Sequence, residues 1–297
     1  MVKRDIYQEI TNKIIKRLDC VDLENFKAPF AELAAQGMPL NPITGKSYNG
    51  INIPSLWIDQ QEKSFNSPEW ASYKQWKEKG AQVRKGEQGS LIVFYKTWNK
   101  QEEDEQGEQH NIQIPVMRLY TVFNADQVDG YESEGTLSLA QADLVTRIDH
   151  ADAFANKTGA NIQHCEARAY YNRTNDFINM PQTSAFLDTA HSSATENYYS
   201  VLFHELTHWA GAPHRLNRDK ATSKTQQLEK YAFEELIAEL GAAFLCAQLE
   251  IVQSPRDDHA RYLKCWLQAL RGDKSFIFKA SAQAAKAIEF LNRFQED

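Results

Sequence analysis

Apolar residues recur at three- and four-residue intervals along much of this chain, the signature of helices with one buried face. Ile6, Ile10, Ile14, Ile15 and Leu18 predict an opening helix, with Lys3, Arg4, Lys13, Lys16 and Arg17 on its polar side. Residues 70–80 read as a short helix stopped by Gly80. Leu144, Ile148, Ala151 and Phe154 predict another, ending at Gly159. Tyr199, Leu202, Phe203, Leu206 and Trp209 form a buried stripe that Gly211 and Pro213 terminate. Residues 231–245 are apolar almost throughout, and 261–270 and 280–294 read as closing helices.

Strand-like runs are fewer. Residues 90–96 and 117–123 are rich in β-branched and aromatic side chains and pair as a hairpin across the acidic tract 101–109, a solvated tip. Residues 167–172 and 176–181 alternate around an Asn/Thr turn. The Asn-Pro and Thr-Gly steps in 41–52 mark tight turns. The polar stretch 126–137, with two glycines, is the boundary between two units. The fold class is therefore α+β: an N-terminal α+β domain over 1–130, a linker over 131–140, and a mostly helical domain with a small sheet over 141–297.

Chemistry enters at His204-Glu205-Leu206-Thr207-His208, an HExxH pattern on the predicted helix. Histidines at i and i+4 share a helix face, so both imidazoles reach one metal ion. Glu205 lies one residue round from the first ligand, placed to take a proton from a metal-bound water without itself ligating. Catalytic zinc needs a third protein ligand. His214 completes HExxHxxGxxH, but that pattern expects a later methionine, and Met1, Met38, Met117 and Met180 all precede it. On the next helix Glu235 and Glu239 share a face. This matches a gluzincin, in which Glu235 ligates and Glu239 orients a ligand histidine. Glu235 is the favoured third ligand, with Glu239, Glu229 and His214 as the alternatives. The cofactor is zinc, with another divalent ion such as manganese also suited. Tyr170, Tyr171 or His214 could assist at the carbonyl oxygen.

Charge changes the picture of the N-terminal half. The chain carries a formal net charge of −7, so no global field attracts nucleic acid. Yet between Lys63 and Lys100 eight lysines and arginines face three glutamates. Trp57, Phe65, Trp70, Tyr73, Trp76, Phe94, Tyr95 and Trp98 interleave with them. Cations that track a backbone and rings that stack bases suit sequence-tolerant single-strand binding. Lys74, Lys77, Arg84 and Lys85 are the expected phosphate contacts, and Tyr73 and Trp76 the expected stacking residues. Residues 1–130 alone are expected to bind single-stranded DNA. Cys20, Cys165, Cys246 and Cys265 are scattered without a CxxC, which fits reduced thiols in the cytoplasm. No run approaches a membrane span, so no membrane partner is expected.

Two sets of residues together resemble a known family. The segment 41–52, the 70–80 stretch, Val83-Arg-Lys-Gly-Glu87 and Val122-Phe-Asn124 resemble the N-terminal domain of the ArdC/TraC family of plasmid antirestriction proteins. His204 to Trp209, Arg215-Leu-Asn-Arg218 and 231–240 resemble the zincin-type domain that follows it. The resemblance spans nearly the whole chain. It implies a single-stranded-DNA-binding domain joined to a metallopeptidase-like domain, and protection of incoming conjugative DNA from host restriction. A restriction–modification component or a protein on the DNA would be the peptidase substrate. The alternative reading is a DNA-directed zinc endopeptidase whose main role is proteolysis.

Overall fold

The computed structural model describes residues 5–20, 30–103, 109–132, 144–188, 192–218, 227–251 and 260–296. The N-terminal half runs α1 (Ile6–Asp19), α2 (Ala31–Ala34), β1 (Leu40–Asn41), β2 (Lys46–Ser47), α3 (Asn52–Glu62), β3 (Trp70–Ala71), α4 (Tyr73–Glu78), β4 (Gln82–Val83), β5 (Ser90–Glu103), β6 (Gln109–Asn124) and β7 (Val128–Asp129). The C-terminal half runs α5 (Leu144–Lys157), β8 (Asn161–Gln163), β9 (Tyr170–Asn172), β10 (Phe177–Asn179), α6 (Ala194–Ala210), α7 (Gln227–Gln248), α8 (Ala260–Gly272) and α9 (Phe276–Asn292). The α+β class and the two-domain order expected from the sequence both hold.

The expected hairpin is longer than its apolar signal. β5 and β6 pair antiparallel from Ser90 opposite Val122 out to Glu103 opposite Gln109, so part of the acidic tract continues the ladder. Backbone pairing carries it on where hydrophobic alternation has stopped. The tip, 104–108, lies outside the described residues, as does most of the expected linker, from residue 133 onward. The expected 70–80 helix divides. Trp70 and Ala71 pair with Asn124 and Phe123 of β6, and the helix starts only at Tyr73. Ser72 caps it in a reciprocal capping box with Gln75, a start signal stronger than the apolar spacing before it. α3 carries no clean apolar period because it is buried over most of its first eight residues.

In the C-terminal half the sheet order is β8-β10-β9, with β8 parallel and β9 antiparallel to β10. α6 packs on β9, β10 and α7. α7 is the hub: from Leu236 to Ala247 every side chain is buried, which is why its sequence reads as apolar on all sides. One large core spans both halves, and the N-terminal half adds two smaller clusters of its own, around Trp76 and around Trp70. α1 packs on α8, α2 on α7, and Trp57 of α3 meets Phe244 of α7 edge-on at 5.9 Å between ring centroids. The Thr11 hydroxyl donates to the Lys274 carbonyl at 2.8 Å, and Arg271 pairs with Asp19 at 2.7 Å.

Candidate metal centre

α6 is locally well specified. Ser193 and Glu196 form a capping box at its start, and Gly211 caps its end. This fixes the turn that carries His204, Glu205 and His208, of which His204 and Glu205 are buried. α7 approaches closely because Gly241 has no side chain. A Cβ there would lie 2.5 Å from the Cγ2 and Oγ1 atoms of Thr207, the fourth residue of HExxH. The approach sets Glu235 against both histidines.

Three donors converge. The Nε2 atoms of His204 and His208 lie 3.1 Å apart, and each is 3.5 or 3.6 Å from a carboxylate oxygen of Glu235. Around an ion with bonds of 2.0–2.1 Å, tetrahedral ligand atoms sit about 3.4 Å apart, so the spacing suits zinc-sized coordination. Among the described residues this trio is the one His/Cys/Asp/Glu cluster that could hold a metal. The far ring nitrogens face carboxylates. Nδ1 of His208 is 3.1 Å from Glu234, and Nδ1 of His204 is 3.8 Å from Glu239, an electrostatic approach rather than a hydrogen bond. With its proton on Nδ1 toward these acids, either ring would turn its Nε2 lone pair into the site.

Glu234 is itself anchored. Its oxygens accept from Arg218 Nε at 3.2 Å and Nη2 at 2.6 Å, and Arg218 also donates to the Thr207 carbonyl. Burial pushes the Glu234 carboxyl up, but the bond to His208 and the Arg218 guanidinium outweigh it and hold it at about 2. Glu234 and Arg218 lie in two of the segments that carry the family resemblance, but neither was assigned a role at the site. Glu234 is hidden beside Glu235 in a Glu-Glu pair, and Arg218 comes from the loop after α6.

His214 does not join the trio. It is exposed, and its Nε2 sits 3.1 Å from Asp176, which Arg215 also holds at 2.7 Å. The Tyr171 hydroxyl donates to the same Asp176 at 2.7 Å. Arg215 stacks on the Trp209 ring at 3.6 Å, so this cluster fastens the β9–β10 turn to the end of α6. The side chain of Glu229 lies outside those described.

The expected DNA contacts are scattered. Trp76 is a correction: it is fully buried, donates its indole N–H to the Phe123 carbonyl at 2.9 Å and packs on Tyr131, so no base can stack on it. Trp57 and Trp70 are equally buried. Arg84 is exposed but engaged by Glu87 at 3.0 Å and by Asp129 at 3.6 Å. Tyr73, Lys74, Lys77 and Lys85 are exposed, with Lys74 loosely paired to Glu78 at 3.6 Å. Phe94 and Tyr95, among the interleaved rings of the sequence but not the expected contacts, and Tyr120, which is neither, add three half-exposed rings on the hairpin.

A buried HExxH helix facing an acid on the following helix defines a zincin-like metal domain, here carried behind an α+β N-terminal domain. Comparison with known proteins agrees. Residues 149–283 match the model of a zincin-like metallopeptidase, and residues 4–123 match the N-terminal domain of the anti-restriction factor ArdC. Crystal structures of the antirestriction ArdC protein from the R388 plasmid superpose with TM-scores of 0.76 (metal-free) and 0.74 (Mn(II)-bound). They are 40% and 39% identical to this chain, with 98% and 99% of each chain covered. A protein of Sinorhizobium fredii (strain NBRC 101917 / NGR234), y4eC, is 37% identical over 99% of this chain and 93% of its own length. The DNA primase TraC of Escherichia coli is 34% identical over 99% of this chain, which spans 28% of that protein. The chain belongs to the ArdC antirestriction family. Among the described residues no helix is long and apolar enough to cross a membrane.

Proposed function

We propose that this protein binds single-stranded DNA without sequence preference, protects incoming conjugative plasmid DNA from host restriction, and carries a zinc metallopeptidase domain. The observation that carries the peptidase reading is the pairing of each ligand histidine with its own carboxylate, Glu239 or Glu234, behind the His204–His208–Glu235 trio. Acids behind both rings would fix ring orientation and raise ligand basicity. His204, His208 and Glu235 hold the metal, zinc or in its place manganese. When bound, zinc lowers the pKa of a coordinated water to about 7 and polarises a peptide carbonyl. Glu205 takes the proton of the attacking water on its carboxylate and returns it to the leaving amine. Glu234 holds the His208 ring in place, with Arg218 fixing Glu234, and Glu239 stands behind the His204 ring. The substrate is a protein on single-stranded DNA or a component of a restriction system, met in the cytoplasm.

Glu205→Gln tests the chemistry. It should keep the metal, read by elemental analysis, and lose cleavage of an unfolded protein presented on single-stranded DNA. Undiminished cleavage would remove Glu205 from the mechanism. Undiminished metal content in His204→Ala/His208→Ala would remove the site.

A further inference from the structure

A groove of about 790 Å³ runs between the N-terminal half and α9. One wall is the 41–52 segment and the start of α4, another is the face of the β5–β6 hairpin, and the third is α9. β5 is an edge strand, in the order β3-β6-β5. The Asn52 side chain caps that edge at Val93, accepting from its N–H at 2.8 Å and donating to its carbonyl at 2.9 Å. On one face of the hairpin Ile92 and Val122 are buried under Trp70 and Tyr48, and the same face continues outward as Phe94 and Tyr120. Those two rings meet edge-on at 5.5 Å, yet remain 51% and 46% exposed. Aromatic rings continuous with a core face but left half in water are ready stacking platforms. Lys46 on the 41–52 segment and Lys286 on α9 stand exposed on opposite walls. The acid on that helix, Glu289, is already paired with Arg293 at 3.2 Å. Tyr73, Lys74, Lys77, Arg84 and Lys85 do not line the groove.

We propose that this interdomain groove takes a short stretch of single-stranded DNA, its bases stacked on Phe94 and Tyr120 and its phosphates met by Lys46 and Lys286. The proposal rests on the single-strand-binding reading above and gives it a place that both halves of the chain build. Flat exposed rings flanked by two cations match unpaired bases on a phosphate backbone better than duplex, whose stacked bases offer no free face.

The test uses the full chain, a labelled oligothymidine and anisotropy titrations over a salt series. Phe94→Ala and Tyr120→Ala should each weaken binding roughly 5- to 150-fold with the salt slope unchanged. Lys286→Glu should weaken binding and flatten the slope by about 0.7 for a lost phosphate contact. Lys74→Glu/Lys85→Glu, which lie outside the groove, should weaken binding less than Lys286→Glu does. Photo-crosslinking of the unaltered chain to iododeoxyuridine oligonucleotides needs no variant, and should label peptides carrying Phe94 or Tyr120. Full affinity in the groove variants with loss in Lys74→Glu/Lys85→Glu, or crosslinks confined to residues 73–85, overturns the groove and leaves single-strand binding standing. No binding by the unaltered chain overturns both. A groove whose variants lose only a protein partner belongs to that partner, and the proposal falls.

Discussion

Glu234 shows how much of a metal site one unremarked side chain can hold. It meets His208 on one side and Arg218 on the other, and Arg218 reaches back to the helix that carries the ligands. Removing such a partner typically costs about 10- to 100-fold in metal affinity. Glu234→Ala should therefore weaken zinc binding by that order in chelator competition, with the ligands intact. Glu235→Ala should abolish stoichiometric binding. Asp176 offers a residue-scale test of pH. Burial opposes its charge, but Arg215 and the Tyr171 hydroxyl hold its carboxyl below the usual range. A carboxyl lowered in the folded state contributes stability that is complete above its unfolded value, about 3.9, and is lost as pH falls through the folded value. Asp176→Asn should flatten acid unfolding below about pH 4 and leave the curve at neutral pH parallel to that of the unaltered chain.

At the scale of elements, the approach of α6 to α7 rests on Gly241. A methyl group 2.5 Å from Thr207 cannot be accommodated without a shift. Gly241→Ala should cost about 1–3 kcal/mol in thermal unfolding and weaken the metal, because Glu235 moves with α7. Truncating Thr207 to Ala in the same chain should recover part of both losses, which a propensity effect of alanine would not. The helices were legible where one face alone is buried, as in α1, α5, α8 and α9. α3, buried over most of its first eight residues, left no period to read, whereas α7, also buried all round along much of its length, was long enough to be read as a helix. At β3, tertiary pairing with β6 claimed Trp70 and Ala71 from a predicted helix. β6 was read correctly over 117–123, and its earlier half, back to Gln109, lies beyond the run singled out in the sequence and pairs with β5 toward the tip.

For the whole molecule the consequence is a shared core. Ile10 and Ile14 of α1, Trp57 of α3 and Phe244 of α7 belong to one cluster. The chain should unfold in a single thermal transition followed alike by tryptophan fluorescence and far-ultraviolet dichroism. Trp57→Ala should lower it by about 3–5 kcal/mol. Two separate transitions would show that the halves hold independently. Residues 1–130 cut from the rest would expose Trp57 and the inner face of α1, so the isolated half is a poor stand-in for the chain in DNA-binding work.

The convergence of His204, His208 and Glu235 was readable because it depends on spacing within a helix and on one helix following another. The α+β class and the order of the halves were readable for the same reason: burial of one face writes a local period. Glu234's anchor on Arg218, the burial of Trp76 and the groove against α9 depend on which distant surfaces meet. A tryptophan among lysines has the same local sequence whether it faces water or a carbonyl of β6. Only the packing of the sheet over α4 decided that it faces inward.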